Sequence, residues 1–187
     1  MSTVQYAVVV VGGGPAGLMA AQRLSEAGSA VDLFDAMPSV GRKFLLAGKG
    51  GLNLTHAEDS EAFASRFGAR RARLEPLLQD FDAASVREWA RGLGVETFVG
   101  TSGRVFPVDM KAAPLLRAWL TRLRHPGSGE PVHFRMRHRW MGWNDAGALV
   151  FNTPAGEVQV QAKAVVLALG GASWARLGSD GAWVEPV

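Results

Sequence analysis

Residues 7–11 read AVVVV and run straight into Gly12-Gly13-Gly14-Pro15-Ala16-Gly17. A short, continuous, β-branched run bounded by glycine suits a strand buried on both faces of a parallel sheet. Leu18, Ala21 and Leu24 then recur at helical spacing with Gly28 as a natural stop, so residues 15–28 are read as a helix. Residues 31–34 are the next short strand, ending on Asp35. The product is a strand–helix–strand unit of about 30 residues, the length such a unit needs. It commits the chain to the α/β class with a parallel central sheet.

The pattern Gly-x-Gly-x-x-Gly is weak by itself. Here it succeeds a buried strand, opens a helix and precedes an acidic residue at the end of the second strand, which makes it a Rossmann-like dinucleotide fingerprint. Gly12 allows the tight turn, Gly14 leaves room for a pyrophosphate against the backbone, and Gly17 lets helix and strand pack closely. The helix N-terminus at Pro15 and Ala16 supplies free N–H groups and the positive end of the helix dipole. Asp35 is placed to accept hydrogen bonds from ribose hydroxyls, and its charge disfavours a 2′-phosphate, hence NADP, at this site.

Residues 38–56 have neither helical nor strand period and are read as a long loop. It carries four glycines and the adjacent cations Arg42 and Lys43, and long loops inside compact domains tend to be functional. Residues 60–94 are read as helical, with Ser85-Val86-Arg87-Glu88 spaced as a capping box and Trp89 and Leu93 facing inward. One or two short strands are expected over 95–107, around Thr101-Ser102-Gly103. A second amphipathic helix is expected over 111–124, its inner stripe Leu115, Leu116, Trp119, Leu120 and Leu123, with Pro114 tolerated in the first turn. Residues 132–160 alternate between turn sequences and are read as an antiparallel β-meander. Residues 164–169, AVVLAL, form a further continuous apolar strand that runs into Gly170-Gly171.

Composition narrows the function. Of 187 residues 23 are glycine, about 12% against a usual share of roughly 7%, and the excess gathers near 12–17, 41–51 and 170–181, which marks particular loops. The absence of cysteine excludes disulfides, thiolate zinc sites and a dithiol partner for a flavin. Nothing resembles a signal peptide or a spanning apolar stretch, so a cytoplasmic protein is expected. Net charge is +3. The arginine runs at 66–73 and 135–139 are read as solvated outer faces, not as a nucleic-acid footprint.

The segments beyond the first unit separate FAD from NAD. An NAD-dependent dehydrogenase would continue with another helical crossover, whereas this chain gives the Gly41-Arg42-Lys43 loop, suited to a second grip on a pyrophosphate, and then the meander and the late strand. The order VVVVGGGPAGLMAAQRL, GRKFLLAGKGGLNLT, meander, VVLALGG resembles the flavoproteins with a glutathione-reductase-type FAD domain. Within these it is most similar to the bacterial BaiN/YhiN-like NAD(P)/FAD-dependent oxidoreductases, over nearly the whole chain. The resemblance implies that Gly12 to Gly17 hold the pyrophosphate and Asp35 the ribose, with Arg42 and Lys43 along the phosphates. It places Asn53 and Thr55 in the cofactor-binding loop tail, sets the backbone of Trp140 against adenine, and brings Gly170 near the cofactor. FAD is the implied cofactor and NAD(P)H the implied electron donor, passing hydride to a small organic molecule. Many relatives carry an arginine–cysteine pair just before the asparagine, where this chain has Gly51 and Leu52. Relatives are also longer, so residues 1–187 are expected to be an incomplete FAD-binding domain, without the inserted second domain and the C-terminal flavin-contacting segment.

Other residues carry less. His56, His125, His133 and His138 lack metal spacing, and His133 and His138 fall on opposite strand faces by parity. Ser173, Ser179 and Asp180 lie past the sheet's C-terminal edge, where ligands collect, and Trp174 and Trp183 are candidates to cover a flavin ring. No residue stands out as a general acid or base. An NAD-dependent dehydrogenase and a non-catalytic dinucleotide-binding module remain open alternatives.

Overall fold

A computed structural model describes residues 4–47, 50–172, 174–178 and 180–185. In chain order the first elements are β1 (Val4–Val11), α1 (Pro15–Glu26), β2 (Val31–Asp35), α2 (Arg42–Ala47), β3 (Thr55–His56), α3 (Ser60–Ser65), α4 (Arg71–Asp80) and α5 (Ala83–Gly92). The later elements are β4 (Thr97–Val99), β5 (Arg104–Pro107), α6 (Ala112–Arg124), β6 (Val132–Met136), β7 (Arg139–Trp143), β8 (Leu149–Thr153) and β9 (Gly156–Leu167). The chain forms two compact units, one from Met1–Phe44 with Leu120–Val187 and the other from Leu45–Trp119.

The first unit is built on a six-stranded sheet of order β6-β2-β1-β9-β8-β7. β1 lies between β2 and β9, parallel to both, with Val9 opposite Asp32 on one side and Val165 on the other. Val9, Val10, Val31 and Leu33 are fully buried, which is why these strands read as continuous apolar runs. α1 presents Leu18 and Ala21 as buried residues and ends just before Gly28, whose φ of +80° is natural only to glycine. Val9, Val11, Phe34, Trp140, Leu149, Phe151 and Val160 form the core. Within it Phe34 and Phe151 stack at 4.5 Å.

The second half of the chain departs from its sequence reading at two strands. β6 does not belong to the meander: it is parallel to β2, with Phe34 opposite Arg135. Arg137, at φ +61°, turns the chain between β6 and β7, and only β7, β8 and β9 run antiparallel. Nor is AVVLAL a separate strand. β9 is one strand of 12 residues, antiparallel to β8 up to Val160 and parallel to β1 from Val160 onward.

The second unit has a three-stranded antiparallel sheet of order β3-β5-β4. Its β4–β5 turn is closed by the Gly103 N–H bonding the Gly100 carbonyl (2.9 Å). Residues 38–94 also differ from expectation in two places. The expected loop contains the short helix α2 and the strand β3, six and two residues that are too brief for a period to show. α5 starts one turn earlier than the capping-box reading: Asp82 is the N-cap and accepts the Ser85 N–H (2.7 Å). Trp89 and Trp119 meet edge to face at 4.7 Å, as core residues would. Among the described residues no helix is long and apolar enough to cross a membrane.

Candidate functional site

The glycine loop is clamped between the C-terminal ends of β2 and β9. Gly12 N–H donates to the Phe34 carbonyl and Ala168 N–H to the Val11 carbonyl, each at 2.8 Å. Gly12 sits at φ +109°, and a side chain there would run into the Ala168 carbonyl; one on Gly17 would strike the carbonyl of Gly12. Gly13 is equally confined, by the Val40 side chain and by Oδ2 of Asp35 at 2.8 Å from where a Cβ would lie. Gly14 is different, because no described atom lies within 4 Å of its Cβ position. The loop is therefore tight against the protein at three glycines and open at the fourth. α1 has no side-chain cap at Gly14, which leaves N–H groups of its first turn available to an anion.

Asp35 closes β2 half-buried. Its Oδ2 accepts the Gly13 N–H (2.6 Å) and its Oδ1 the Met37 N–H (2.7 Å). Each oxygen keeps a lone pair for a further donor such as a ribose hydroxyl. Burial pushes the Asp35 carboxyl above its usual range, while those two N–H bonds and the charges of Arg42 and Arg139 pull it back.

One cavity in the first unit gathers most of the residues expected from the sequence: Gly12, Gly14, Pro15, Ala16, Asp35, Arg42, Lys43, Trp140 and Gly170 all line it. Gly17 lies just behind, packed against Gly12. Asn53 and Thr55 belong to the second unit, where Asn53 is exposed and Thr55 pairs with Val105 in the β3–β5 ladder. Ser173 and Ser179 lie outside the described residues, and Trp174 is exposed.

Several residues on the cavity are not singled out by sequence reasoning. Met37, His138 and Arg139 line it. The Arg137 and His138 N–H groups bond the carbonyls of Met37 (3.1 Å) and Asp35 (2.9 Å), which carries the chain across the end of β2. Arg139 is not part of a purely wet arginine stripe, since it forms an ion pair with Asp180 at 3.1 Å. Its position next to Trp140 is the one signal of this in the sequence. The remaining arginines of both runs include several held by carboxylates: Arg66 by Glu58, Arg71 by Glu75 and Arg135 by Asp32.

Three buried side-chain donors on this cavity have no hydrogen-bond acceptor among the described residues: Nε of Arg42, Nε1 of Trp140 and Nε1 of Trp183. Buried donors left unmet cost about 1–3 kcal/mol each. Their concentration around an open glycine backbone fits a ligand rich in acceptors. A dinucleotide, with its phosphate oxygens, ribose oxygens and ring nitrogens, meets that requirement.

Fold and site together define a Rossmann-type dinucleotide-binding domain. The chain belongs to the family described as the HI0933-like protein Rossmann domain, matched over residues 6–186. Among solved structures it is similar to a flavocytochrome c3 fumarate reductase in an open conformation, at 22% identity and a TM-score of 0.67, over 90% of this chain and 34% of that one. The Sdh1 complex of Mycobacterium smegmatis in the apo form matches at 18% identity and a TM-score of 0.68, over 92% of this chain and 35% of that one. A 3-ketosteroid-Δ4-(5α)-dehydrogenase from Rhodococcus jostii RHA1, solved with 4-androstene-3,17-dione, matches at 20% identity and a TM-score of 0.61, over 90% and 46%. These likenesses are of fold, and the chain spans less than half the length of each protein.

Proposed function

We propose that this chain is the FAD-binding domain of a flavin-dependent oxidoreductase of the BaiN/YhiN-like kind, which takes electrons from NAD(P)H and passes them to a small organic molecule in the cytoplasm, with no nucleic acid or membrane as partner. The observation that carries the reading is the set of three unpartnered donors on a cavity where Gly14 alone of the four loop glycines has open space among the described residues. Gly12, Gly14, Ala16 and the start of α1 would hold the pyrophosphate, Arg42 and Lys43 would neutralise its charge, and Asp35 would take the ribose. Trp140 and Gly170 would line the path of the dinucleotide. Flavin, when bound, supplies the two-electron chemistry; the protein binds it, orients it and shields it from water.

The meander supports FAD over NAD. The strand beside β1 arrives from β8 through a hairpin and not from a crossover helix, unlike the repeating βαβ plan of a nicotinamide-binding domain. The name of one similar structure, a flavocytochrome, points the same way.

The test is the visible spectrum of the purified chain. A yellow preparation that releases FAD on denaturation is the expected result. A colourless protein that cannot be reconstituted with FAD, yet is stabilised by NAD, sinks the flavin assignment. Oxidation of NAD(P)H with an artificial acceptor then separates an enzyme domain from a binding module.

A further inference from the structure

The turn at residues 180–184 has no part in the proposed pyrophosphate grip. Asp180 accepts from Arg139 through Oδ2 (3.1 Å) and from the Ala182 N–H through Oδ1 (3.2 Å). The Val184 N–H closes the turn on the Gly181 carbonyl (3.1 Å). Ala182 and Trp183 are thereby set on the wall of the glycine-loop cavity, which Arg139 and Trp140 also line. The Trp183 ring packs against the core cluster that contains Phe34, Trp140 and Phe151, and its indole N–H is buried without an acceptor among the described residues.

An indole N–H can only donate, and buried tryptophans normally find it a partner. Here the ring is fixed by packing while the donor is left unmet on a cavity wall. With Asp35 read as the ribose contact, the same stretch of wall adjoins the ribose end of the cavity. Arg139 acts electrostatically on Asp35, and His138, next to it, bonds the Asp35 carbonyl through its backbone N–H. An adenosine offers acceptors there in its purine nitrogens and ribose oxygens.

We propose that Trp183 is a specificity-determining contact for the adenosine half of the bound dinucleotide, its indole N–H donating to a ring or ribose acceptor. Asp180, by holding Arg139, is the positioning residue that keeps the turn in place. This rests on the reading of the cavity as a dinucleotide site.

The experiment titrates the full chain with ADP and with FAD. Trp183→Phe keeps an aromatic ring but removes the donor along with the rest of the indole's five-membered ring, so both dissociation constants should rise about tenfold, the order expected for one hydrogen bond. Asp180→Asn should weaken ADP binding in the same direction, and Asp180→Glu should restore part of it. The melting temperature of the ligand-free protein should stay unchanged in both Asp180 variants and fall only slightly in Trp183→Phe, whose smaller ring packs less fully on the core. In the wild-type chain, ADP should also shift one isotope-labelled indole N–H resonance, identified as the signal missing from Trp183→Phe; this measurement holds even if a variant folds poorly. Unchanged ADP affinity in Trp183→Phe, or loss of FAD affinity with ADP affinity intact, overturns the proposal while leaving the dinucleotide site standing. A wild-type chain that binds neither ADP nor FAD overturns both.

Discussion

Asp35 is under opposed demands. Burial raises its pKa, whereas the Gly13 and Met37 N–H groups and the nearby guanidinium groups favour the anion. With the folded-state pKa above the ordinary value, the native protein holds more protons than the unfolded chain in the window just above that value. Its stability therefore falls as pH rises through the window and levels off beyond it. Ribose hydroxyls donating to the carboxylate would lower the pKa again, so binding releases a proton, and affinity should rise with pH across the same window. Calorimetric titration with ADP at several acidic pH values checks the sign, and Asp35→Asn should flatten the profile. Removing the carboxylate with Asp35→Ala should weaken adenosine binding by about 1–3 kcal/mol. The loop glycines divide in a related way. Gly13→Ala should lower the melting temperature of the ligand-free protein, because Val40 and Asp35 occupy the space. Gly14→Val should leave the fold largely intact, since its helix-cap cost is at most about 1 kcal/mol, yet abolish cofactor retention. Release of FAD on gel filtration separates the two. The motif spacing assigns roles to Gly12, Gly14 and Gly17, but it treats Gly13 as a free position. Its confinement comes from Val40 and Asp35, which only the fold brings close.

At the scale of elements, what is legible in the sequence is local. β1, α1 and β2 carry their period, boundary glycines and length within one stretch of chain, and their expected limits fall within a few residues of the observed ones. β6 and β9 escape such a reading because alternation records which side chains are buried and not which strand lies alongside. A parallel edge strand such as β6 and a meander strand look alike. In β9 the polar residues Gln159, Gln161 and Lys163 suggest a break, although the backbone pairs straight through them. This continuity can be tested at Gln161, which pairs with Gln5 just past the residue where β8 leaves off. Gln161→Ala should be nearly neutral. Gln161→Pro should cost about 2 kcal/mol or more in urea unfolding, because proline fixes φ and cannot donate to a ladder. A tolerated proline would mean that two separate strands meet there.

For the whole molecule, the fingerprint and the site are not the same thing. Every residue of the strand–glycine–helix–strand fingerprint lies before residue 44, yet the cavity also needs Trp140, Gly170 and Trp183 from the far end of the sequence. The glycine turn itself is held by the Ala168 N–H on the Val11 carbonyl, a bond made only once β9 has paired with β1. Binding is thus linked to closing a loop of more than a hundred residues, and a ligand that recognises only the closed state stabilises it by mass action. At a free concentration about 100 times the dissociation constant, that stabilisation is about 2.7 kcal/mol. For a chain of this size it corresponds to a rise of roughly 5–10 °C in melting temperature. FAD should produce such a shift in the full chain. A peptide of residues 1–44, which keeps the entire fingerprint, should bind neither FAD nor ADP measurably, since it lacks the second clamp on the turn and half of the cavity wall. Fluorescence titration of both species under the same conditions decides it: binding by the short peptide with an affinity near that of the full chain would show that the fingerprint alone is the site.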